Sequence, residues 1–206
     1  MRNSLVALGD YAENGGDRGE GVTLVGEKNL EGDVEENFGE VRRLLALLGE
    51  RVRLRFVRGI PWAGIREISR GSLNILREPE LLAVGQSFAA RFGTPYIDSF
   101  PMGLSGSLQF IRETAGILGL DPGEALEEER SIQDDALASF DDLRDERIRI
   151  DSPLGKSESL FATELAASLG LVLRKDGVPL PLPSPLPVGT GGLVRLLHRW
   201  RRVLHG

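Results

Sequence analysis

The strongest constraint on the fold of this chain is a repeated order of strand, helix and glycine between residues 22 and 118. Short apolar segments that predict strands occur at residues 22–25, 52–57, 72–76 and 96–97. Segments with helical apolar spacing follow three of them, at 34–48, 80–92 and 105–118, and the first two end at glycines. Strands that alternate with helices pair in parallel. The sequence therefore predicts an α/β fold with a Rossmann-like parallel sheet and helices on both faces.

The remainder of the chain predicts a connecting helix and a truncated second α/β unit. Residues 121–145 are very rich in Glu and Asp, which predicts a solvated helix. The segments after it predict a strand at 147–150, a helix at 156–169, a strand at 171–173, an extended proline-rich segment at 178–188, a turn at 189–192 and a basic helix at 193–204. A single strand–helix–strand unit is too small for its own core. We therefore expect residues 146–206 to pack on the domain of residues 1–120, or to be the remnant of a further domain.

The composition excludes several kinds of chemistry. Cysteine is absent, so this chain forms no disulfides and offers no thiolate for catalysis or for an iron–sulfur cluster. The two histidines, His198 and His205, fall in the last predicted helix, which argues against a histidine-rich metal site. The net charge of −6 gives no sign of nucleic-acid binding. No apolar run resembles a membrane span or a signal peptide, which predicts a cytoplasmic protein.

The segment V-G-E-K-N-L-E-G-D at 25–33 lies between the first predicted strand and the helix after it. Ligands of open α/β sheets collect at this edge, where helix N-termini present free N–H groups. The same segment is also typical of a simple turn in which Asp33 caps the helix. It lacks the G-x-G-x-x-G spacing of a dinucleotide site, which argues against an unrelated Rossmann-like enzyme that uses a nucleotide.

Several motifs occur together in an order that resembles a known family. They are V-T-L-V-G-E-x-N-L-x-G-D at 22–33, S-L-N-I at 72–75, R-F-G-T-P-Y at 91–96 and F-P-M-G at 100–103, with G-T-G-G at 189–192 as a fainter match. This series resembles the nitrogenase component 1-like oxidoreductases. That family includes the nitrogenase α and β subunits, cofactor-scaffold paralogues and subunits of dark-operative protochlorophyllide reductase.

The resemblance implies a function that depends on partner chains. Family members have three Rossmann-like domains, work as dimers or heterotetramers and receive electrons from an ATP-driven iron–sulfur reductase. Their interface cluster is held mainly by cysteines of the first domain, and a metallocluster or tetrapyrrole sits between domains. The corresponding cavity residues here are Glu27, Lys28, Asn29 and Leu30, together with Arg77, whose charge suits an anionic cofactor.

The departures from the family pattern concern the metal ligands. By this resemblance we expect the first, cysteine-bearing domain to be missing, since Met1 falls about where that domain would end. The α subunit's cluster-ligating cysteine falls near Arg77 and Glu78, which makes Glu78 a candidate metal ligand. The simpler interpretation is that Glu78, before Pro79, is an acidic residue at a helix start. The arginines around His198 indicate a solvated basic face, with binding of a phosphate or acidic partner as the alternative.

These observations lead to two hypotheses of different classes. The first is an oxidoreductase-related protein that contributes a metallocofactor-cavity domain for electron transfer or cofactor assembly. It holds no cofactor alone, shares an iron–sulfur or related metallocofactor with a partner, and forms a homo- or hetero-oligomer with nitrogenase-like subunits and a reductase partner. Nucleic acid and membrane are not expected partners. The second hypothesis is a non-catalytic binding or assembly module that keeps the fold without redox chemistry.

Overall fold

The first sheet contains four parallel strands in the order β2-β1-β3-β4. The computed structural model describes residues 2–9, 12, 19–27, 32–56, 60, 62–151 and 155–206. The strands are β1 (Val22–Val25), β2 (Val52–Phe56), β3 (Asn74–Leu76) and β4 (Tyr96–Ile97). Val25 pairs with Phe56 on one side, and Thr23 pairs with Asn74 on the other. The central position of β1 places its carboxyl end in the middle of the sheet edge.

Eight α-helices are present in the described part of the chain. They are α1 (Arg2–Gly9), α2 (Val34–Ala46), α3 (Trp62–Ile65), α4 (Leu82–Phe92), α5 (Gly103–Leu118), α6 (Gly123–Ala138), α7 (Lys156–Leu169) and α8 (Gly189–His205). Short 3-10 turns occur at Arg66–Arg70, Pro79–Leu81 and Asp141–Leu143. Within these described residues, no helix is both long and apolar enough to cross a membrane.

Both faces of the first sheet are covered by helices. Successive residues of a strand point to opposite faces, so Leu24 and Val25 enter different cores, and neither is exposed. Leu24 belongs to a cluster with Val41 of α2 and Phe110 of α5. Val25 belongs to a cluster with side chains of α1 and α4, among them Phe88. This arrangement confirms the predicted Rossmann-like sheet.

A second, three-stranded parallel sheet lies in the C-terminal part of the chain. Its strands are β5 (Arg147–Ile150), β6 (Val172–Leu173) and β7 (Val178–Leu180), in the order β6-β5-β7. Ile148 of β5, Phe161 of α7 and Trp200 of α8 share one buried cluster, which Leu104 of α5 also enters. The small sheet thus obtains from α5 and α8 the apolar cover that its own strand–helix–strand unit lacks.

One local prediction in this region is confirmed and another is corrected. The proline-rich segment is extended, as predicted, and its first residues form β7, in which Pro179 pairs with Arg149. Proline is tolerated there because β7 is an edge strand and needs no ladder donor on its outer side. Gly189–Gly192 was expected to be a turn, but it forms the first turn of α8.

Helix α6 is shorter and less solvated than its acidic sequence predicts. It ends at Ala138. Ala125, Glu129 and Gln133 are four residues apart, so they share one face of the helix, and all three are buried. The prediction of a solvated helix is therefore wrong for this inner face. It holds for the outer face, where Asp134 and Asp135 are exposed.

Candidate functional site

A cleft of about 530 Å³ opens where the carboxyl edge of the first sheet meets the second α/β unit. One wall follows β3 and the adjacent loop, and the other combines the start of α7 with the proline-rich segment. The lining residues are Arg77, Glu78, Pro79, Glu80, Met102, Ser157, Glu158, Ser184, Pro185 and Leu186. An adjoining cavity of about 440 Å³ shares Met102, Ser157 and Leu186 with the cleft and extends it toward Phe100 and Leu160.

Arg77 is held in the cleft wall by its two neighbouring strands. Its backbone N–H donates to the Val25 carbonyl at 3.0 Å, which continues the β1–β3 ladder beyond β3. Its guanidinium lies 4.4 Å from the ring centre of Phe100, which follows β4. This is a cation–π geometry, and Arg77 is only 3% exposed. Arg77 therefore places a fixed positive charge in the wall of the cleft.

Glu78 lines the same cleft and is half-buried. Its backbone is extended and precedes the turn Pro79–Leu81, but its side chain makes no capping hydrogen bond to that turn. Within the described residues, no group of three or more His, Asp or Glu side chains is arranged to hold a metal ion. The chain also contains no cysteine. The residues present therefore do not fit an iron–sulfur cluster held by this chain's own side chains.

Glu27 is not among the residues that line the cleft, and its carboxylate is paired with an arginine of β2. Arg55 on β2 donates to it through Nε, at 2.5 Å, and through Nη2, at 3.2 Å. Arg55 also donates to Glu35 at 2.8 Å and lies 3.8 Å from the ring centre of Phe38. Burial acts to lower the pKa of Arg55, but the hydrogen bonds with the two glutamates outweigh it, and the pKa is raised. Lys28, Asn29 and Leu30 lie outside the described residues.

A buried polar network was missed by the sequence analysis. Glu129 of α6 is fully buried and accepts hydrogen bonds from Arg43 at 2.7 Å, Thr190 at 2.7 Å and Gln133 at 3.3 Å. Burial acts to lower the pKa of Arg43, but hydrogen bonds with Glu129 and Glu40 raise it above its ordinary value. The available signal was the four-residue spacing of Ala125, Glu129 and Gln133, which the surrounding acidic residues obscured.

The G-T-G-G motif at 189–192 is explained by packing against this network. The backbone N–H of Gly191 donates to Glu40 Oε2 at 3.0 Å, so a side chain of α2 caps the start of α8. A Cβ at Gly191 would lie 2.7 Å from Glu40 Oε1, and Gly189 has a positive φ of 62°. Glycine is therefore required by close approach and by backbone conformation. This helix start is already occupied by a carboxylate.

The basic face of α8 is matched by acidic and polar side chains. Arg199 pairs with Asp33 at 3.2 Å, and Arg195 donates to Asn37 at 3.1 Å. Arg201 pairs with Asp142, which also lies 3.4 Å from His205. The ring of His198 contacts Phe140 edge-on, with 4.9 Å between the ring centres. Most of this face thus serves the contacts of α8 with α2 and with residues near 142.

The fold and cleft define an α/β protein with a Rossmann-like sheet, a smaller second α/β unit and a ligand-sized cavity between them. Residues 1–152 match the model of the family described as nitrogenase component 1 type oxidoreductase. The chain belongs to this family, which confirms the resemblance seen in the motifs.

The relatives found by sequence are reductase subunits. The chain is 30% identical over 92 residues to a subunit of the light-independent protochlorophyllide reductase of Rhodopseudomonas palustris (strain TIE-1), covering 44% of this chain and 17% of the relative. It is 31% identical over 107 residues to the equivalent reductase chain of Synechococcus sp. (strain WH7803), covering 52% and 20%. The chain thus spans only 17% to 20% of the length of these curated relatives.

The structural neighbours carry the same fold. Nitrogenase Cp1 at pH 6.5 superposes with a TM-score of 0.61 at 18% identity, covering 88% of this chain and 35% of that chain. The structure of nitrogenase Cp1 at pH 5 gives a TM-score of 0.60, also at 18% identity, covering 87% and 36%. At this identity the likeness concerns the fold alone, and it confirms the predicted α/β class.

Proposed function

We propose that this chain supplies a cofactor-cavity domain to a nitrogenase-like oxidoreductase assembled with partner chains, where it acts in electron transfer or cofactor assembly. The observation that carries the proposal is the cleft of about 530 Å³ between the two α/β units. Ligands of open α/β proteins bind beyond the carboxyl ends of the strands and between domains. This cleft meets both conditions, and family membership supports an oxidoreductase context.

The walls of the cleft suit a mostly apolar ligand with a few polar groups. Met102, Pro185 and Leu186 supply apolar surface, and Ser157 supplies a hydroxyl. Arg77 supplies a buried positive charge. A small number of fixed polar groups on an apolar surface is the usual composition of a cofactor site. A tetrapyrrole, such as the protochlorophyllide in the names of the matched relatives, and a metallocofactor are the two classes that we propose.

Any metal group at this cleft must be shared. Because the chain has no cysteine and its described residues offer no group of three metal-binding side chains, a partner chain has to supply the ligands. We therefore propose a complex with nitrogenase-like subunits and with a reductase that delivers electrons. In this complex, the residues of this chain bind and orient the group and exclude water from it.

The experiment compares the protein purified anaerobically alone with the protein co-expressed with the chains encoded beside it. Iron content and the visible absorption spectrum are measured on both. A Ser157→Trp variant fills the cleft, since Ser157 lies in both of its cavities and is exposed. The matched control is Ser168→Trp, at an exposed position of the same helix outside the cleft. Circular dichroism checks that both variants fold.

We expect visible absorption only in the presence of partners, with loss of that absorption in S157W and retention in S168W. Colourless, metal-free protein in both preparations contradicts the oxidoreductase role. Equal spectra for the two tryptophan variants contradict the assignment of the cleft as the binding site.

The lack of cysteine favours a second candidate function, a non-catalytic binding or assembly module. This module would form the same complex with partner chains without an iron group or a pigment at the interface. A stable, colourless complex in the same experiment therefore selects this candidate over the first.

A further inference from the structure

A separate cavity of about 320 Å³ lies at the carboxyl end of the second sheet. It is formed by the ends of β5 and β6 and by one face of α7. The lining residues are Ile148, Arg149, Ile150, Ser159, Ala162, Thr163, Leu173, Arg174 and Lys175. None of them lines the cleft between the two α/β units or its adjoining cavity. Those two spaces contact the other face of α7, through Ser157 and Leu160.

The floor of this cavity is apolar. Ile148 and Ile150 point to the same side of β5, since they are two residues apart in the strand. Leu173 pairs with Ile148 across the sheet and extends the same surface, and Ala162 of α7 closes it. Leu173 is nevertheless 43% exposed, because β6 is the edge strand of the sheet. The floor therefore leaves apolar surface in contact with water.

The rim of the cavity is positively charged. Arg149, Arg174 and Lys175 line it, and no Asp or Glu is among the lining residues. Arg149 is tethered, since its Nη1 donates to the Lys175 carbonyl at 3.3 Å and its Nη2 lies 3.8 Å from Asp151. Arg174 and Lys175 are exposed, and within the described part of the chain no carboxylate lies at ion-pair distance from either. Two cations therefore face the solvent beside an apolar floor.

We propose that this cavity binds a small amphipathic anion. The apolar body of the ligand lies on Ile150 and Leu173, and its carboxylate or phosphate group binds Arg174 and Lys175. The location agrees with the general preference of ligands for the carboxyl ends of parallel strands. Charge-assisted hydrogen bonds to the head group supply selectivity for anions, and burial of the floor supplies affinity. The site is independent of the function proposed for the interdomain cleft.

The test measures binding of decanoate to the full chain by isothermal titration calorimetry, with decanol as the uncharged analogue. The variant Arg174→Gln/Lys175→Gln removes both exposed cations of the rim. The matched control Arg130→Gln/Arg202→Gln removes two exposed cations elsewhere and leaves the same net charge. Co-sedimentation with phosphatidylglycerol vesicles distinguishes a free ligand from a lipid in a bilayer.

We expect one decanoate per chain, with affinity about tenfold weaker in R174Q/K175Q and unchanged in R130Q/R202Q. Failure of decanoate to bind overturns the proposal, as does equal affinity for decanol. Equal losses in the two double variants also overturn it, because the effect is then one of net charge. Binding to vesicles without binding of decanoate overturns the assignment to a free small molecule.

Discussion

Arg43 and the fully buried Glu129 form a two-point ion pair that joins α2 to α6. Nη1 of Arg43 lies 2.7 Å from one oxygen of Glu129, and Nη2 lies 3.2 Å from the other. Thr190 at the start of α8 donates to the same carboxylate. One side chain of an acidic helix thus links three elements, and this link fixes α8, which covers the second sheet.

Glu129→Gln should destabilise the protein by about 2–3 kcal/mol, because it removes the buried one of the two carboxylates that pair with Arg43, a side chain that is only 30% exposed. The free energy of unfolding from urea titration measures the loss. Glu128→Gln, at an exposed position of the same helix, should change it by less than about 0.5 kcal/mol. Equal effects of the two substitutions would show that the network contributes nothing specific.

Gly189→Ala should destabilise the protein by about 1–3 kcal/mol, since it combines a positive φ of 62° with a Cβ placed 2.8 Å from Glu40 Cβ. Gly116→Ala is the control, because Gly116 lies within α5 and a Cβ there meets nothing within 4 Å. It should stabilise the protein by about 0.5–1 kcal/mol. Thermal denaturation of both variants checks the direction of the two predicted changes in stability. A G189A variant as stable as the wild type would contradict the packing explanation.

The sequence predicted those elements whose formation depends on local patterns. The bounds of β1 and of α7 agree with the prediction, because an apolar run before Gly26 and a periodic segment before Gly170 mark their ends. Elements that depend on distant partners were mispredicted. The G-T-G-G motif begins a helix because Glu40, 151 positions before Gly191, caps it. The extended conformation around Pro179 was predicted, but its pairing with β5 as an edge strand was not.

The candidate site was predicted on one wall only. Arg77 and Glu78 follow a recognisable strand, and the carboxyl edge of a parallel sheet is a known place for ligands. The opposite wall, with Ser157 and Pro185, comes from the second unit. No pattern in the sequence predicts the relative placement of the two α/β units, since that placement depends on the packing of α8 against both.

Asp142 should make stability depend on pH in the acid range. The hydrogen bond from Arg201 holds the pKa of this carboxyl below its ordinary value of 3.8, and nearby His205 acts in the same direction. A lowered pKa in the folded state means that the contribution is complete above the ordinary pKa and is lost as the pH falls through the folded value. The difference in unfolding free energy between wild type and Asp142→Asn should therefore shrink on acidification. Asp134→Asn, at an exposed site, should show no such trend, and a constant difference for D142N would contradict the assignment.

Two isosteric substitutions of buried threonines should change the stability of the protein in opposite directions. Thr23 Oγ1 is buried in the first sheet and has no hydrogen-bond partner among the described residues, whereas Thr190 Oγ1 donates to Glu129 at 2.7 Å. Thr23→Val removes an unsatisfied hydroxyl and should stabilise the protein by about 1 kcal/mol. Thr190→Val removes a hydrogen bond to a charged group and should destabilise it by about 1.5–3 kcal/mol. Urea denaturation of both variants gives the comparison. Destabilisation by T23V would mean that a bound water satisfies its hydroxyl in solution, because only a hydrogen-bonded hydroxyl is costly to replace.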